Sequence, residues 1–204
     1  MFEVLKNGGW MMIPIIICSI VSMAIIGERL WFLQRKRIIP AELVAYIWQL
    51  HRDNQLDDGA IRRIKHSSLL GKILAAGLQN RKYGREMMKT SLEEVGRQVT
   101  HELERYLNAL GSIASITPLL GLLGTVDGII RVFSDIAASG LGDPVVLSRG
   151  ISEALICTAS GLTVAIPSLF FHRYFERLVD DRVVRMEEEA LRLIDFMQGD
   201  REDT

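Results

Sequence analysis

One carboxylate lies inside a nearly apolar stretch of the sequence, where it could carry a proton. The stretch covers residues 148–171 and reads SRGISEALICTASGLTVAIPSLFF, with Glu153 near its start. A charge at the centre of a membrane helix costs about 2.5 to 3.5 kcal/mol, so Glu153 is expected to face protein or water rather than lipid. Desolvation there favours the protonated acid, and an acid in a partly hydrated cavity can load and release a proton. The alternative is an ion pair with Arg149, one turn earlier, in which Glu153 would only anchor its helix.

Small and mildly polar side chains continue along the helical face that begins at Glu153. Cys157, Ser160 and Val164 follow it at spacings of four, seven and eleven residues. With 3.6 residues per turn, these spacings place all four side chains on one face of a helix. The stripe therefore predicts possible pore-lining positions beneath the acid.

Two threonines are expected at about the same depth on neighbouring helices. The glycines around Leu141 and the start of a helix at Asp143-Pro144 are typical of a sharp reversal between two antiparallel helices. Thr125 lies sixteen residues before Leu141, and Thr158 lies seventeen residues after it. Either hydroxyl group could line a pore, or it could bond to the backbone one turn back among small residues that suit helix packing.

The preceding apolar segment contains glycines at the spacing that allows close helix contact. Gly121, Gly124 and Gly128 stand in the sequence GLLGTVDG, which lacks the lysine and the strand context of a phosphate-binding loop. Pro118 and Pro167 each remove one backbone hydrogen bond, so both are predicted kink positions.

Charged residues lie near the outer ends of the same two segments. Asp127, Arg131 and Asp135 recur every four residues, which is most simply a stripe of salt bridges along a helix. Asp127, Arg131 and Arg149 are possible outer-mouth charges.

These residues require membrane-spanning helices to position them. The chain of 204 residues is 49% hydrophobic and 24% charged, so the charges must be segregated from the apolar segments. Three segments satisfy the length of about 20 residues that a bilayer needs. We predict an all-α membrane protein with long cytoplasmic helical extensions, divided into an N-terminal segment (1–9), spans at 10–33, 109–139 and 144–171, a cytoplasmic helical region (34–108), an outer turn (140–143) and a cytoplasmic C-terminal helix (172–204). A cleaved signal peptide is disfavoured because MFEVLK lacks a basic excess and the first apolar run continues past Ala24.

The basic residues predict the orientation. The region 34–108 holds fourteen Lys and Arg residues and the tail from residue 172 holds six, whereas residues 140–148 hold none. Because basic residues stay on the cytoplasmic side, the N-terminus is expected outside and the C-terminus in the cytoplasm.

The cytoplasmic region is predicted to be helical. Ser67 or Ser68 could cap the helix that follows them. From Glu86 onward an apolar stripe continues to the second span with no proline before Pro118, which predicts one continuous rod.

Other classes of function are disfavoured by composition. A net charge of −1 argues against nucleic-acid binding, and the four histidines are scattered without metal-ligand spacing. Cys18 and Cys157 both fall in apolar runs, which favours free thiols over a disulfide. We therefore predict no cofactor, no metal site and no catalytic residue, and we take the chain not to be an enzyme.

Two of these segments carry a family resemblance. PLLGLLGTVDGII and GISEALICTASGLTVAIPS closely resemble the paired signatures of the MotA/TolQ/ExbB proton-channel family, and the three-span layout resembles its ExbB and TolQ branch. The match of motifs covers residues 118–168. One departure is Asp127, which stands where ExbB and TolQ commonly have an aromatic residue.

The resemblance implies an energy-coupling subunit of a Gram-negative inner membrane. Five copies would surround two transmembrane helices of an ExbD- or TolR-like partner, which carries the essential aspartate of the channel. Carried over by position, the polar pore residues of the family match Glu153, Thr125 and Thr158. Protons would move the partner helices, and work would be delivered to a TonB- or TolA-like protein. A TolQ-like role in envelope integrity is the alternative within the family, and a non-conducting membrane scaffold is the alternative outside it.

Overall fold

The regular structure is helical throughout the described part of the chain. A computed structural model of the protein describes residues 9–34, 38–40, 42–53, 55–139 and 144–202. Its helices, in chain order, are α1 Met12–Phe32, α2 Leu43–Arg52, α3 Asp58–Ser67, α4 Leu69–Gln79, α5 Arg85–Glu104, α6 Leu107–Ser139 and α7 Pro144–Glu202, with a 3-10 turn at Arg81–Tyr83.

Three of the described helices contain a stretch long and apolar enough to cross a membrane. They are α1, α6 and α7, and it is their length and composition that suit them to a membrane. Large apolar side chains remain exposed on their surfaces, among them Ile17, Leu119 and Ile166. Such side chains are unusual on a water-facing surface in this number, but they suit contact with lipid or with other helices. The prediction of an all-α protein is confirmed for the described residues, and three of their helices are suited to the predicted membrane spans.

Two of the shorter helices begin at side-chain caps. The Asp57 carboxylate accepts a hydrogen bond from the Ala60 amide at 2.7 Å and caps α3. Of the two serines predicted as a cap for α4, Ser68 takes this role by accepting from the Gly71 amide at 3.0 Å. Ser67 instead donates to the Ile64 carbonyl at 2.7 Å.

The predicted continuous rod before the second span is wrong, because the chain breaks at Arg105 and Tyr106. Helix α5 ends at Glu104 and α6 begins at Leu107. Arg105 is extended (φ −51°, ψ 136°), and Tyr106 has φ 65°, in the left-handed region that non-glycine residues rarely adopt. The Arg29 side chain, which is almost fully buried, donates to the Leu103 carbonyl at 3.0 Å and so satisfies one of the carbonyls that a helix end leaves free. No glycine or proline marks this break in the sequence.

Helix α7 joins two segments that are predicted from the sequence as separate helices. It runs without interruption through Pro167 and past residue 171 to Glu202. The predicted C-terminal helix is therefore the continuation of the third span. The predicted outer turn at 140–143, the capping role of Asp143 and the N-terminal segment before Gly9 lie outside the described residues.

The chain divides into two compact units. One contains residues up to 28 and residues 106–174, and we call it the spanning unit; the other contains residues 29–105 and the chain from residue 175, and we call it the polar unit. The core of the polar unit consists of aliphatic and aromatic side chains with almost no exposed surface, including Ile61, Ile64, Leu70, Leu74, Leu78, Leu103 and Phe175.

Candidate functional site

The contact between α6 and α7 depends on glycine. A Cβ placed on Gly121 would lie 3.1 Å from the Thr158 Cα, and one placed on Gly128 would lie 3.0 Å from the Ala154 Cβ. At Gly124 the same atom would overlap the Cys157 sulfur. The three glycines thus lie along one contact line, where the absence of side chains lets the two helix backbones approach closely.

The two threonines use their hydroxyl groups differently. Thr158 donates to the Gly121 carbonyl at 3.0 Å and so forms a hydrogen bond between α7 and α6. Thr125 donates to the Leu122 carbonyl of its own helix at 2.6 Å. Since Gly121 faces Thr158 and Gly124 faces Cys157, the register places the two threonines within about one turn of each other along the helix pair.

Glu153 lies against the beginning of the first membrane helix. Its side chain is half-buried on α7, and its carboxylate packs on the backbone of Gly9, where an added Cβ would overlap the Glu153 Oε1 atom. Gly9 also has φ 70°, a conformation that favours glycine. Within the described part of the chain, Glu153 forms no ion pair with Arg149, whose side chain is exposed.

The stripe beneath Glu153 is packed within the spanning unit. Cys157 is buried in an apolar cluster with Met11, Met12 and Ile15 of the first helix region, and Val164 packs against the same cluster. Ser160 is half-buried and lies outside this cluster. Two of the three possible pore-lining residues therefore belong to this apolar cluster or pack against it.

The outer charges form a connected group with an aromatic residue. The Arg131 guanidinium pairs with the Asp127 carboxylate at 2.5 Å, one turn away on α6. The Trp10 indole N–H donates to the same carboxylate at 3.1 Å across 117 residues of sequence. Asp127 thus ties the segment before α1 to α6, and Asp135 lies exposed two turns further along.

Both prolines lie inside helices that continue through them. Pro118 belongs to α6 and Pro167 to α7. Hydroxyl side chains neighbour each proline: Thr117 donates to the Ile113 carbonyl at 2.6 Å, and Ser168 donates to the Val164 carbonyl at 2.7 Å. Hydroxyl groups that bond to their own helix in this way often accompany a bend in a membrane helix. The kinks at the two prolines stay a prediction.

Several residues of the site were missed by sequence reasoning. Gly9 and Trp10 were counted only as a boundary, although the Gly-Gly pair before Trp10 is a signal for a turn. Gly161 allows close contact from the α7 side, since a Cβ there would lie 2.8 Å from the Thr117 carbonyl oxygen. Ser22 of α1 shares a hydrogen bond with Ser168 at 2.6 Å, a buried polar link that apolar patterning does not predict.

The polar side chains considered along this helix pair are one carboxylate and two hydroxyl groups. Glu153 is the half-buried carboxylate, and hydroxyl groups of Thr125 and Thr158 lie further along the same helix pair. Among the residues that the structure describes, no three His, Cys, Asp or Glu side chains converge to form a metal site.

Comparison with known proteins shows the family to which the chain is similar. Residues 65–188 match the MotA/TolQ/ExbB proton channel family. The chain is 32% identical over 174 residues to an ExbB-like biopolymer transport protein of Synechocystis sp., a match that covers 84% of this chain and 68% of that protein. It is 29% identical over 176 residues to the biopolymer transport protein ExbB of Salmonella typhimurium (82% and 72% covered). It is 26% identical over 183 residues to the biopolymer transport protein exbB1 of Vibrio cholerae (88% and 80% covered).

Proposed function

The chain belongs to the MotA/TolQ/ExbB proton channel family, and on that basis we propose that it is an ExbB-like subunit that converts proton motive force into mechanical work. The observation that carries this proposal is the position of Glu153, a half-buried carboxylate on a helix long and apolar enough to span a membrane. An ionisable group costs free energy in such a place and is by default a candidate for function.

In the proposed mechanism, five copies of the chain surround two helices of an ExbD- or TolR-like partner. Protons move past the partner's aspartate and past Glu153, Thr125 and Thr158, and the partner helices turn or shift in response. A membrane potential of 100 mV supplies about 2.3 kcal/mol per charge, which is enough to bias a conformational cycle. The work is delivered to a TonB-like protein that serves outer-membrane transport.

The contacts of the three polar residues suit this role to different degrees. Thr125 is half-buried and bonds only within its own helix, so its hydroxyl oxygen still has acceptor capacity. The Thr158 hydroxyl group donates a hydrogen bond to the Gly121 carbonyl, and its oxygen can still accept another hydrogen bond. Glu153 is the group of the three whose charge changes on proton binding.

The proposed location is the inner membrane of a Gram-negative cell, with the N-terminus outside and the C-terminus in the cytoplasm. Support comes from the distribution of basic residues, which are concentrated in the region 34–108 and in the tail. We propose an ExbB-like role, and the ExbB names of the relatives from Synechocystis sp., Salmonella typhimurium and Vibrio cholerae support it. A TolQ-like subunit would instead support envelope integrity through a TolA-like protein.

The test is Glu153→Gln in the complex reconstituted with its single-span partner in vesicles with a proton gradient. The amide has almost the same shape but cannot carry a proton, so gradient-driven work should fall to background while assembly stays normal. Glu153→Asp should retain part of the activity, and Asp135→Asn is the matched control because it neutralises an exposed carboxylate of the same unit. Wild-type activity in Glu153→Gln would overturn the proposal and favour a non-conducting membrane scaffold.

A further inference from the structure

The backbone before the first membrane helix covers one side of Glu153. Gly9 packs directly on the Glu153 carboxylate, and two independent constraints require glycine there. An added Cβ would overlap the carboxylate oxygen, and the φ angle of 70° is strained for any other residue. A backbone segment so close to a carboxylate limits the approach of water from that side.

Two contacts anchor this covering segment, both made by the residues that follow Gly9. On the helix side, Met11 is 7% exposed and packs with Cys157, which lies one turn beyond Glu153 on α7. Next to Gly9 itself, the Trp10 indole N–H donates to the Asp127 carboxylate on α6 at 3.1 Å. The Trp10 ring is 57% exposed, so this residue contributes its hydrogen bond rather than buried area.

The two anchors differ in how easily they open. The Met11–Cys157 contact is part of a buried apolar cluster with Met12 and Ile15, and its disruption would expose the whole cluster. The Trp10–Asp127 contact is one exposed hydrogen bond to a carboxylate that Arg131 already orients. The hydrogen bond is therefore the part that can open while the cluster stays packed.

We infer that Trp10 and Asp127 form a latch that holds the Gly9 backbone over Glu153 and so controls the access of water and protons to this carboxylate. Trp10, Asp127 and Gly9 are positioning residues that act through Glu153. The part of this inference that concerns protons rests on the proposed function; the covering of the carboxylate does not.

Accessibility of Glu153 can be measured directly in the full chain in membrane vesicles. A water-soluble carbodiimide with glycinamide converts accessible carboxyl groups to amides, and mass spectrometry then gives the rate at each carboxylate. Trp10→Phe removes the N–H and keeps an aromatic ring, so labelling of Glu153 should be about tenfold faster, the ratio expected for the loss of one hydrogen bond to a charged group. Asp135, which is exposed in the same unit, is the internal reference and should be labelled at an unchanged rate.

Substitutions at Asp127 distinguish a specific Trp10–Asp127 latch from a general loosening of the outer ends of the helices. Asp127→Asn loses the charge that pairs with Arg131 but keeps an oxygen that can accept from Trp10, so Glu153 labelling should rise less than about threefold. Asp127→Leu removes the acceptor and should match Trp10→Phe, and the double variant should add nothing further because both changes break the same bond. Equal acceleration by Asp127→Asn and Asp127→Leu would overturn the latch, as would unchanged Glu153 labelling in Trp10→Phe.

Proton leak provides the second measurement. Vesicles that carry Trp10→Phe should show a faster passive leak, and adding Glu153→Gln should return the leak to the wild-type rate. A leak that persists in the double variant would overturn the proton-gating role. If Glu153→Gln alone leaves gradient-driven work intact, the proposed function fails, whereas the carbodiimide result still decides whether the latch exists.

Discussion

At the scale of the residue, the hydroxyl group of Thr158 forms a hydrogen bond from α7 to α6 at the glycine contact. It donates to the Gly121 carbonyl at 3.0 Å, whereas the hydroxyl of Thr163, further along the same helix, donates to the Ala159 carbonyl of its own helix at 2.7 Å. Hydrogen bonds within a helix leave its association with a neighbour unchanged. The two threonines therefore offer a matched pair of tests.

Thr158→Val should lower the free energy of unfolding by about 0.6 kcal/mol, the average measured for hydrogen bonds between membrane helices. Valine has nearly the same shape, so the loss reports the bond and not a cavity. Equilibrium unfolding in mixed detergent and lipid measures it, with Thr163→Val as the control whose effect should be smaller. Equal losses in the two variants would show that the bond to Gly121 contributes nothing particular. If Thr158→Val also abolishes gradient-driven work, the residue has the pore role proposed for it as well.

At the scale of the element, the glycine line of α6 sets how closely α7 can approach. Gly124 faces Cys157, Gly121 faces Thr158 and Gly128 faces Ala154. By contrast, Gly27 of α1 has open space where a Cβ would lie. Glycine in a helix interior lowers the stability of the helix by about 1 kcal/mol relative to alanine. Its use along this contact indicates that the close packing of the two helices stabilises the pair by more than that loss.

Gly124→Ala should destabilise the helix pair by about 1 to 3 kcal/mol, because the new methyl group would overlap the Cys157 sulfur and force the helices apart. The measurement is again the free energy of unfolding. Adding Cys157→Ala should restore part of the loss, since it removes the overlapping sulfur.

Gly27→Ala is the control for the intrinsic effect of the substitution, and it should be neutral or stabilising by up to about 1 kcal/mol. A loss in Gly27→Ala as large as that in Gly124→Ala would mean that the contact with Cys157 is not the cause.

At the scale of the whole molecule, the two compact units differ in the surface they present. The spanning unit exposes many large apolar side chains along α1, α6 and α7, whereas the polar unit contains most of the basic residues. This separation is what a bilayer requires, because apolar side chains are stable in lipid and basic residues remain on the cytoplasmic side. It leads to a test of orientation.

A chain in which Cys18 and Cys157 are replaced by alanine can report topology through single new cysteines. With the proposed orientation, Asp135→Cys should react with a membrane-impermeant maleimide in intact spheroplasts, because residue 135 is exposed near the outer end of α6. Ser67→Cys, exposed in the polar unit, should react only after lysis. Labelling in the reverse order would overturn the proposed orientation.

The sequence by itself determined the helical class, three segments apolar and long enough to span a membrane, and the glycine spacing. These features depend on local properties: about 20 apolar residues are long enough to cross a bilayer, and residues four apart share a helix face. The same reasoning located Glu153 as an isolated acid. It failed at Arg105 and Tyr106, because neither position is a glycine or a proline that would signal a break, and the Leu103 carbonyl finds its partner in Arg29, 74 residues earlier.

Only the tertiary structure decided which groups meet. The Trp10 indole reaches Asp127 across 117 residues, the Gly9 backbone packs on Glu153, and Thr158 takes a carbonyl of α6 instead of one on its own helix. Each of these contacts depends on the register and rotation of packed helices, which are set by many contacts summed over the whole helix pair. Local periodicity fixes which face of a helix a residue occupies, and packing alone fixes what that face touches.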